Sequence, residues 1–236
     1  MPASPGTLPG LLVFGGGRMG RLVAEAAQGQ GFELRAVVAR QQPSWLDPAL
    51  WRAALKHAPQ DLDLVIDFSL PDGTQALAPW CADAGLPLLS GTTGLGESGQ
   101  TALQHAAAQV PVLWAANYSI GVNVCLGLVA AAARQLQDAQ AVVVHERHHL
   151  HKKDAPSGTA LALGAAAAPW APTYESLREG EVIGDHQVRF EMAGETVEIS
   201  HFASDRGIYA RGALQAGHWL RRQSAGLYSA QDWLGG

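Results

Sequence analysis

Leu11-Leu12-Val13-Phe14-Gly15-Gly16-Gly17-Arg18-Met19-Gly20 is the stretch from which the rest of the chain is read. A short apolar run stops at a glycine turn. After the turn, Met19, Leu22, Val23, Ala26 and Ala27 recur at helical spacing until Gly29 and Gly31. Phe32–Ala39 then reads as a second strand. Strand, glycine turn, helix and strand make one βαβ unit, and Gly15, Gly17 and Gly20 match G-x-G-x-x-G inside it. The first glycine permits the tight turn, the second lets a pyrophosphate approach the backbone, and the third allows close helix–strand packing. A lone match is weak, but the βαβ setting favours a dinucleotide site over a merely structural turn.

Working outward, the alternation continues with a strand at Leu62–Phe68, a helical stretch at Thr74–Ala84 and a strand at Leu86–Leu89. A helix at Gly99–Gln109 and a strand at Val110–Ala115 follow. Strands alternating with helices imply a parallel, doubly wound sheet. Pro79 falls in mid-helix, where proline costs ~3 kcal/mol, so a kink or a late start is expected. The character changes after Asn117. A long Ala- and Leu-rich helix is expected over Val122–Gln137, then a strand at Ala141–His145 and a helix at Ala160–Ala168. Beyond Pro172 the pattern looks antiparallel, with Val188, Phe190 and Met192 on one face, a turn at Gly194, and Val197 and Ile199 resuming the alternation. Ile208–Leu220 reads as a helix that returns to the first domain. The expected fold is therefore α/β: a Rossmann-like doubly wound parallel sheet plus a smaller α+β domain with an open mixed or antiparallel sheet. The boundaries are set at 8–117 with 208–236 for the dinucleotide-binding domain, and 118–207 for the second.

Composition narrows the function. A chain of 236 residues with formal charge −5 and 16% charged residues is not the basic surface that a general nucleic-acid binder presents. Cys81 and Cys125 lie far apart in apolar surroundings and read as buried thiols rather than a disulfide or zinc pair. No apolar run approaches the ~20 residues of a membrane span. Met1–Gly10 lacks a charged leader and reads as a loose tail. A cytoplasmic protein is expected, with no membrane and no nucleic acid among its partners.

The basic residues gather instead in one place, His145-Glu146-Arg147-His148-His149-Leu150-His151-Lys152-Lys153-Asp154-Ala155-Pro156-Ser157-Gly158-Thr159. Imidazole exchanges protons near neutral pH. Lys152 adds positive charge beside it, and Ser157-Gly158-Thr159 can open a helix whose free N–H groups bind an anion. Proton donor, cation and anion cradle together suggest chemistry on a small anion. For His148 the bland alternative is a histidine packed on the sheet, for Lys152 a solvated lysine, and for Lys153 solvation is the favoured reading. At the end of the second strand Ala39 offers no carboxylate for a ribose 2′-OH, whereas Arg40 could meet a 2′-phosphate or simply be a surface arginine. Ser90-Gly91-Thr92-Thr93-Gly94 and Ala115-Ala116-Asn117-Tyr118-Ser119 follow parallel strands, where they can line a nicotinamide pocket or be ordinary loops.

Several segments together resemble the 4-hydroxy-tetrahydrodipicolinate (dihydrodipicolinate) reductases. They are Gly17-Arg18-Met19-Gly20, Asp67-Phe68-Ser69, Gly91-Thr92-Thr93-Gly94, Ala116-Asn117-Tyr118-Ser119 with Gly121-Val122-Asn123, and His148-His149 with Lys152 and Asp154–Thr159. Ser176–Gly180 with Gly184-Asp185-His186, His201–Arg206 and Gly226-Leu227-Tyr228 complete the set in the family's order. The resemblance implies hydride transfer from NADPH or NADH to a cyclic dicarboxylate imine in diaminopimelate and lysine biosynthesis. It implies that His148 is the proton donor and Lys152 a second acid, and that His149, Ser157, Gly158 and Thr159 hold the substrate. The cofactor would lie against Gly15, Gly16, Gly17, Arg18 and Met19, against Gly91, Thr92 and Thr93, and against Ala115, Ala116, Asn117 and Tyr118, with Arg40 near the adenosine ribose. A homotetramer built through the second domain's sheet is implied as well. The chain departs from the family in a first glycine turn one residue shorter than in many members, which can shift contacts within Gly15–Gly17 by one. It also has Ala39 in place of a frequent acidic residue, and a short segment between Arg40 and Asp61.

Three rival readings are weighed. A zinc site from His145, His148, His149 and His151 is disfavoured by two adjacent lysines and no nearby cysteine, so no metal is expected. A non-catalytic NAD(P)-sensing protein would not need an acid beside an anion cradle. A reductase of another small dicarboxylate or imine is separated from the first reading only by the resemblance.

Overall fold

The computed structural model describes residues 8–235, so residues 1–7 of the expected tail lie outside the described residues, while Gly10 already belongs to the first strand. The chain divides into two compact units: one runs to Tyr118 and resumes at Tyr209, and the other is Ser119–Ile208.

The first unit is a seven-stranded sheet in which every pairing is parallel. Its strands are β1 (Gly10–Phe14), β2 (Glu33–Val38), β3 (Trp51–Arg52), β4 (Leu64–Asp67), β5 (Leu88–Ser90), β6 (Pro111–Trp114) and β11 (Gly226–Tyr228). The spatial order is β11-β6-β5-β4-β1-β2-β3. Both faces are covered, so the strands read as continuous apolar runs whose alternate residues enter different cores. Leu11 and Val13 join a core with α1 (Arg18–Ala26) and α6 (Gly207–Leu220). Leu12 joins another with α2 (Pro71–Ala84) and α3 (Glu97–Ala107). The strand order reverses between β1 and β4, and ligands of doubly wound sheets sit at the carboxyl ends of such neighbours. Here those ends carry Gly15 and Phe68.

Some expectations shift. The helix containing Pro79 begins early, not late: Pro71 occupies its first turn, where the missing N–H is no loss, and the helix continues to Ala84. Pro79 is exposed and can give no N–H to the Gln75 carbonyl. Between β2 and β4 the described residues form only two single 3-10 turns, Pro48–Leu50 and Leu55–His57, around the two-residue β3.

The second unit places α4 (Ile120–Gln135) and α5 (Gly158–Ala166) against one face of a four-stranded sheet, ordered β10-β9-β7-β8. The strands are β7 (Ala141–His148), β8 (Thr173–Arg178), β9 (Gly184–Met192) and β10 (Glu195–Ala203). The sheet is mixed. β9 and β10 form the expected hairpin around Gly194, but β8 runs parallel to β7 because the chain crosses over through α5 before returning. β7 also extends three residues beyond the expected His145, which puts His148 on the strand itself. Both cysteines are free and buried, Cys81 in the first unit and Cys125 in the second.

Candidate active site

In the first unit the glycine turn is built for close approach. Gly15 has φ +114°, outside the range L side chains adopt, and its N–H donates to the Val38 carbonyl at 2.9 Å. A Cβ on Gly20 would sit 1.9 Å from the Gly15 carbonyl oxygen, so α1 can lie over the turn only with glycine there. Gly17 caps α1 without a side-chain bond, leaving the start of the helix open to an anion. A cavity of about 510 Å³ lies against Gly15–Gly17, with exposed Arg40, Leu55, Phe68 and Gly73 among its walls. The short segment after Arg40 folds back on the turn: Trp45 Nε1 donates to the Gly16 carbonyl at 3.2 Å and Trp51 Nε1 to the Ala39 carbonyl at 2.9 Å. Arg18 is exposed and Met19 half-buried in the first turn of α1.

The loop after β5 is held from beneath by Asp67, a residue without any site role in the sequence reading. Its fully buried carboxylate accepts from Thr74 Oγ1 (2.6 Å), Ser90 Oγ (2.7 Å), Ser69 N–H (2.9 Å) and Thr92 Oγ1 (3.1 Å). Thr92 is thus turned inward, and so is Tyr118, whose hydroxyl donates to the Ser90 carbonyl at 2.8 Å. Burial drives the Tyr118 hydroxyl well above its ordinary pKa. These two side chains shape the loops, and only the backbone of each is left to meet a ligand. Gly91 makes room for the Phe68 ring, whereas Thr93 and Ala116 are exposed and Ala115 and Asn117 half-buried.

In the second unit, alternation along β7 decides which groups meet. Val142, Val144, Glu146 and His148 share the buried face; His145 and Arg147 point the other way. His145 there pairs with Glu175 at 2.9 Å, so His145, His148, His149 and His151 are not brought together as a four-histidine site. His148 Nδ1 is hydrogen-bonded to Glu146 Oε2. Glu146 Oε1 accepts from Arg178 Nη2 at 2.7 Å, and Ser176 bonds the same carboxylate. Arg178 also donates to the backbone carbonyls of Lys152 and Asp154.

Across the sheet, His186 stands opposite Glu146, its ring edge-on to His148 at 5.0 Å, with Nε2 3.1 Å from Ser157 Oγ. Ser157 is the N-cap of α5, accepting from Ala160 N–H at 3.2 Å. Gly158 opens α5 with none of the described residues within 4 Å of where a Cβ would be, and Thr159 follows it in the first turn. Lys152 Nζ donates to both carboxylate oxygens of Asp154, at 2.8 and 2.9 Å, an exposed pair that a competing carboxylate can displace. His149 carries a buried Nδ1 with no hydrogen-bond partner among the described residues.

Burial is the main force lowering the His148 pKa; Glu146 opposes it, and Lys152 and Arg178 add to it. Burial and neighbouring imidazoles push His186 down to about 4. For Glu146 burial acts upward, but Arg178, Ser176 and His148 together outweigh it and leave the pKa lowered. Ligand-type atoms of Glu146, His148 and His186 lie within 4.8 Å of one another. The carboxylate is already committed to a guanidinium, a hydroxyl and an imidazole, while His186 bonds Ser157 instead. The arrangement offers a buried proton donor, a nearby ammonium and an open helix mouth.

The sequence reading singled out His148, Lys152 and the helix mouth, but assigned no role to Glu146, Arg178, His186 or Asp154. Glu146 had a signal, since two residues apart on a strand means the same face. Arg178 and His186 come from strands whose register no local pattern reveals.

Comparison with known proteins bears on both units. Residues 10–118 match the family model described as dihydrodipicolinate reductase, N-terminus, and residues 121–234 match its C-terminus counterpart. The chain is 45% identical over 223 residues to a 4-hydroxy-tetrahydrodipicolinate reductase of Xanthomonas euvesicatoria pv. vesicatoria, covering 92% of this chain and 93% of that one. It is 44% identical over 235 residues to a protein of the same name from Stenotrophomonas maltophilia, covering 95% and 97%. Among solved structures, a dipicolinate-bound dihydrodipicolinate reductase from Paenisporosarcina sp. TG-14 superposes with TM-score 0.83 at 19% identity, covering 96% of this chain and 99% of that one, which shows the shared fold.

Proposed function

The chain belongs to the dihydrodipicolinate reductase family, and we infer from that membership that it reduces 4-hydroxy-tetrahydrodipicolinate to tetrahydrodipicolinate with NADH or NADPH. The reaction lies in diaminopimelate and lysine biosynthesis. The first unit is the dinucleotide-binding domain and the second the substrate-binding and oligomerisation domain. The side-chain assignments rest on one observation: a buried imidazole, His148, paired with a carboxylate and flanked by Lys152 and the mouth of α5.

The cavity at the glycine turn, the clash a Cβ would cause at Gly15 or Gly20, and the open start of α1 fit a dinucleotide. Gly15, Gly16, Gly17, Arg18 and Met19 would hold its pyrophosphate, Arg40 its adenosine ribose, and Gly91–Thr93 with Ala115–Tyr118 its nicotinamide end. When bound, it supplies the hydride. Reducing a conjugated ring imine also requires a proton on an atom next to the carbon that takes hydride, with the ring hydroxyl lost as water. His148 donates that proton, a positioned acid of the kind that contributes ~10²–10⁴ in rate. Lys152 exchanges Asp154 for a substrate carboxylate and acts as the second acid. The N–H groups at Ser157–Thr159 take the other carboxylate, and His149 turns its unpartnered nitrogen to the substrate.

The test couples dihydrodipicolinate synthase to this protein and follows NADPH absorbance. Oxidation that depends on the synthase product is expected; its absence would overturn the assignment and leave a nucleotide-sensing protein as the better reading. A cytoplasmic homotetramer belongs to the same proposal. Its support is the sheet face opposite α4 and α5, where Leu177 and Phe202 are 54% and 70% exposed.

A further inference from the structure

We infer that Glu146 is a positioning residue for proton transfer: it holds His148 with the proton on Nδ1 and, through Arg178, ties that imidazole to the backbone of the Lys152 loop. This rests on the reading of His148 as the acid. Three observations carry it. The Glu146 side chain is fully buried and accepts from Arg178, Ser176 and His148 together, so it is a carboxylate with no proton to give. A carboxylate can only accept, so Nδ1 must be the donor, and Nε2 is left as the nitrogen that exchanges a proton with substrate. Lastly, Arg178 spans from Glu146 to the backbone carbonyls of Lys152 and Asp154, so one guanidinium joins the partner of the imidazole to the loop that carries Lys152. Gly184 on β9 completes the seat, since a Cβ there would lie 3.0 Å from His148 Nε2.

The charged and titratable groups acting on His148 are Glu146 on its own strand, Arg178 on β8, His186 on β9 and Lys152 on the following loop. α5 contributes no ionisable side chain. Glu146 is the one group of these that favours the imidazolium, against burial and two cations. Its loss therefore lowers the His148 pKa further and leaves less acid available at neutral pH.

Glu146→Gln is expected to lower kcat roughly 10–100-fold, as loss of an orienting partner does, with little change in KM for the dicarboxylate. The limb along which kcat declines with rising pH should move to lower pH by ~1 unit or more. Glu146→Asp should recover part of both. A merely structural carboxylate would leave the limb where it was, and that result overturns the inference, as does wild-type turnover. His148→Gln is run in parallel. If it is crippled while Glu146→Gln is normal, only the positioning role falls; if it is fully active, the acid assignment falls and the positioning role with it. Should Glu146→Gln not fold, ¹⁵N spectra of the wild-type imidazoles decide: neutral His148 protonated at Nδ1 is expected, and protonation at Nε2 refutes the inference.

Discussion

The proton-donor role proposed for His148 needs neighbours that keep a buried imidazole charged, and at His148 the neighbours are divided. Burial, Lys152 and Arg178 favour the neutral ring, and Glu146 favours the charged one. Replacing the ring by His148→Gln should cut kcat ~10²-fold or more with a modest change in KM, measured by steady-state NADPH oxidation. His186, without a carboxylate partner of its own among the described residues, is pushed further and stays neutral to about pH 4. An unfolded imidazole takes its proton near 6.5, so between those values the unfolded chain binds more protons than the folded one. Stability from His186 is therefore complete above pH 6.5 and is lost as pH falls to about 4, by roughly 3 kcal/mol. His148 and His201, also lowered, act in the same direction. Melting temperatures across this window should drop steeply in the wild type and less so in His186→Gln; parallel curves would refute the assignment.

At the scale of elements, the start of α5 is where the helix cap coincides with the proposed substrate cradle. Ser157 Oγ accepts from Ala160 N–H and meets His186, so Ser157→Ala should cost about 1 kcal/mol of stability, read by urea denaturation. Thr159→Val and Lys152→Ala should instead weaken substrate capture, raising KM more than they lower kcat; unchanged constants in both would remove the cradle. The helix was legible from Ser157-Gly158-Thr159 because capping chemistry is local. The βαβ start was legible for the same reason, from one glycine pattern between two apolar runs. What local pattern could not supply is pairing. β8 lies parallel to β7 because α5 intervenes, which brings Arg178 to Glu146 across 32 positions of sequence. His186 reaches the site through antiparallel register with Glu146. β3 and β11, two and three residues long, are too short for any periodicity to declare them. Asp67 stands in a recognisable motif, yet its four hydrogen bonds come from the loop after its own strand, the start of α2, the end of β5 and the loop after β5, which only the assembled sheet brings together.

For the molecule as a whole, two surfaces remain to be matched with partners, and each gives a measurable consequence. The cavity at the glycine turn is bounded by Ala39 and exposed Arg40, with no acidic side chain among the described residues that line it. A site of that kind lacks the carboxylate that would favour a ribose 2′-OH and offers a guanidinium to a 2′-phosphate. NADPH should therefore support turnover at least as well as NADH, and Arg40→Ala should raise KM for NADPH while leaving that for NADH nearly constant; a strong wild-type preference for NADH would remove Arg40 from the account. The second surface is the sheet face carrying Leu177 and Phe202, interrupted by the ion pairs of Arg147 with Asp185 and Glu179. An antiparallel or mixed sheet can leave one face to water, but two large exposed apolar side chains on it favour cover by another copy of the same face. Sedimentation should show a species several times the 24.8 kDa chain, and Phe202→Glu should shift it toward smaller forms. A wild-type monomer at micromolar concentration would leave the sheet face exposed in solution and remove the tetramer from the proposal, while the cofactor prediction, which rests on the other unit, would stand.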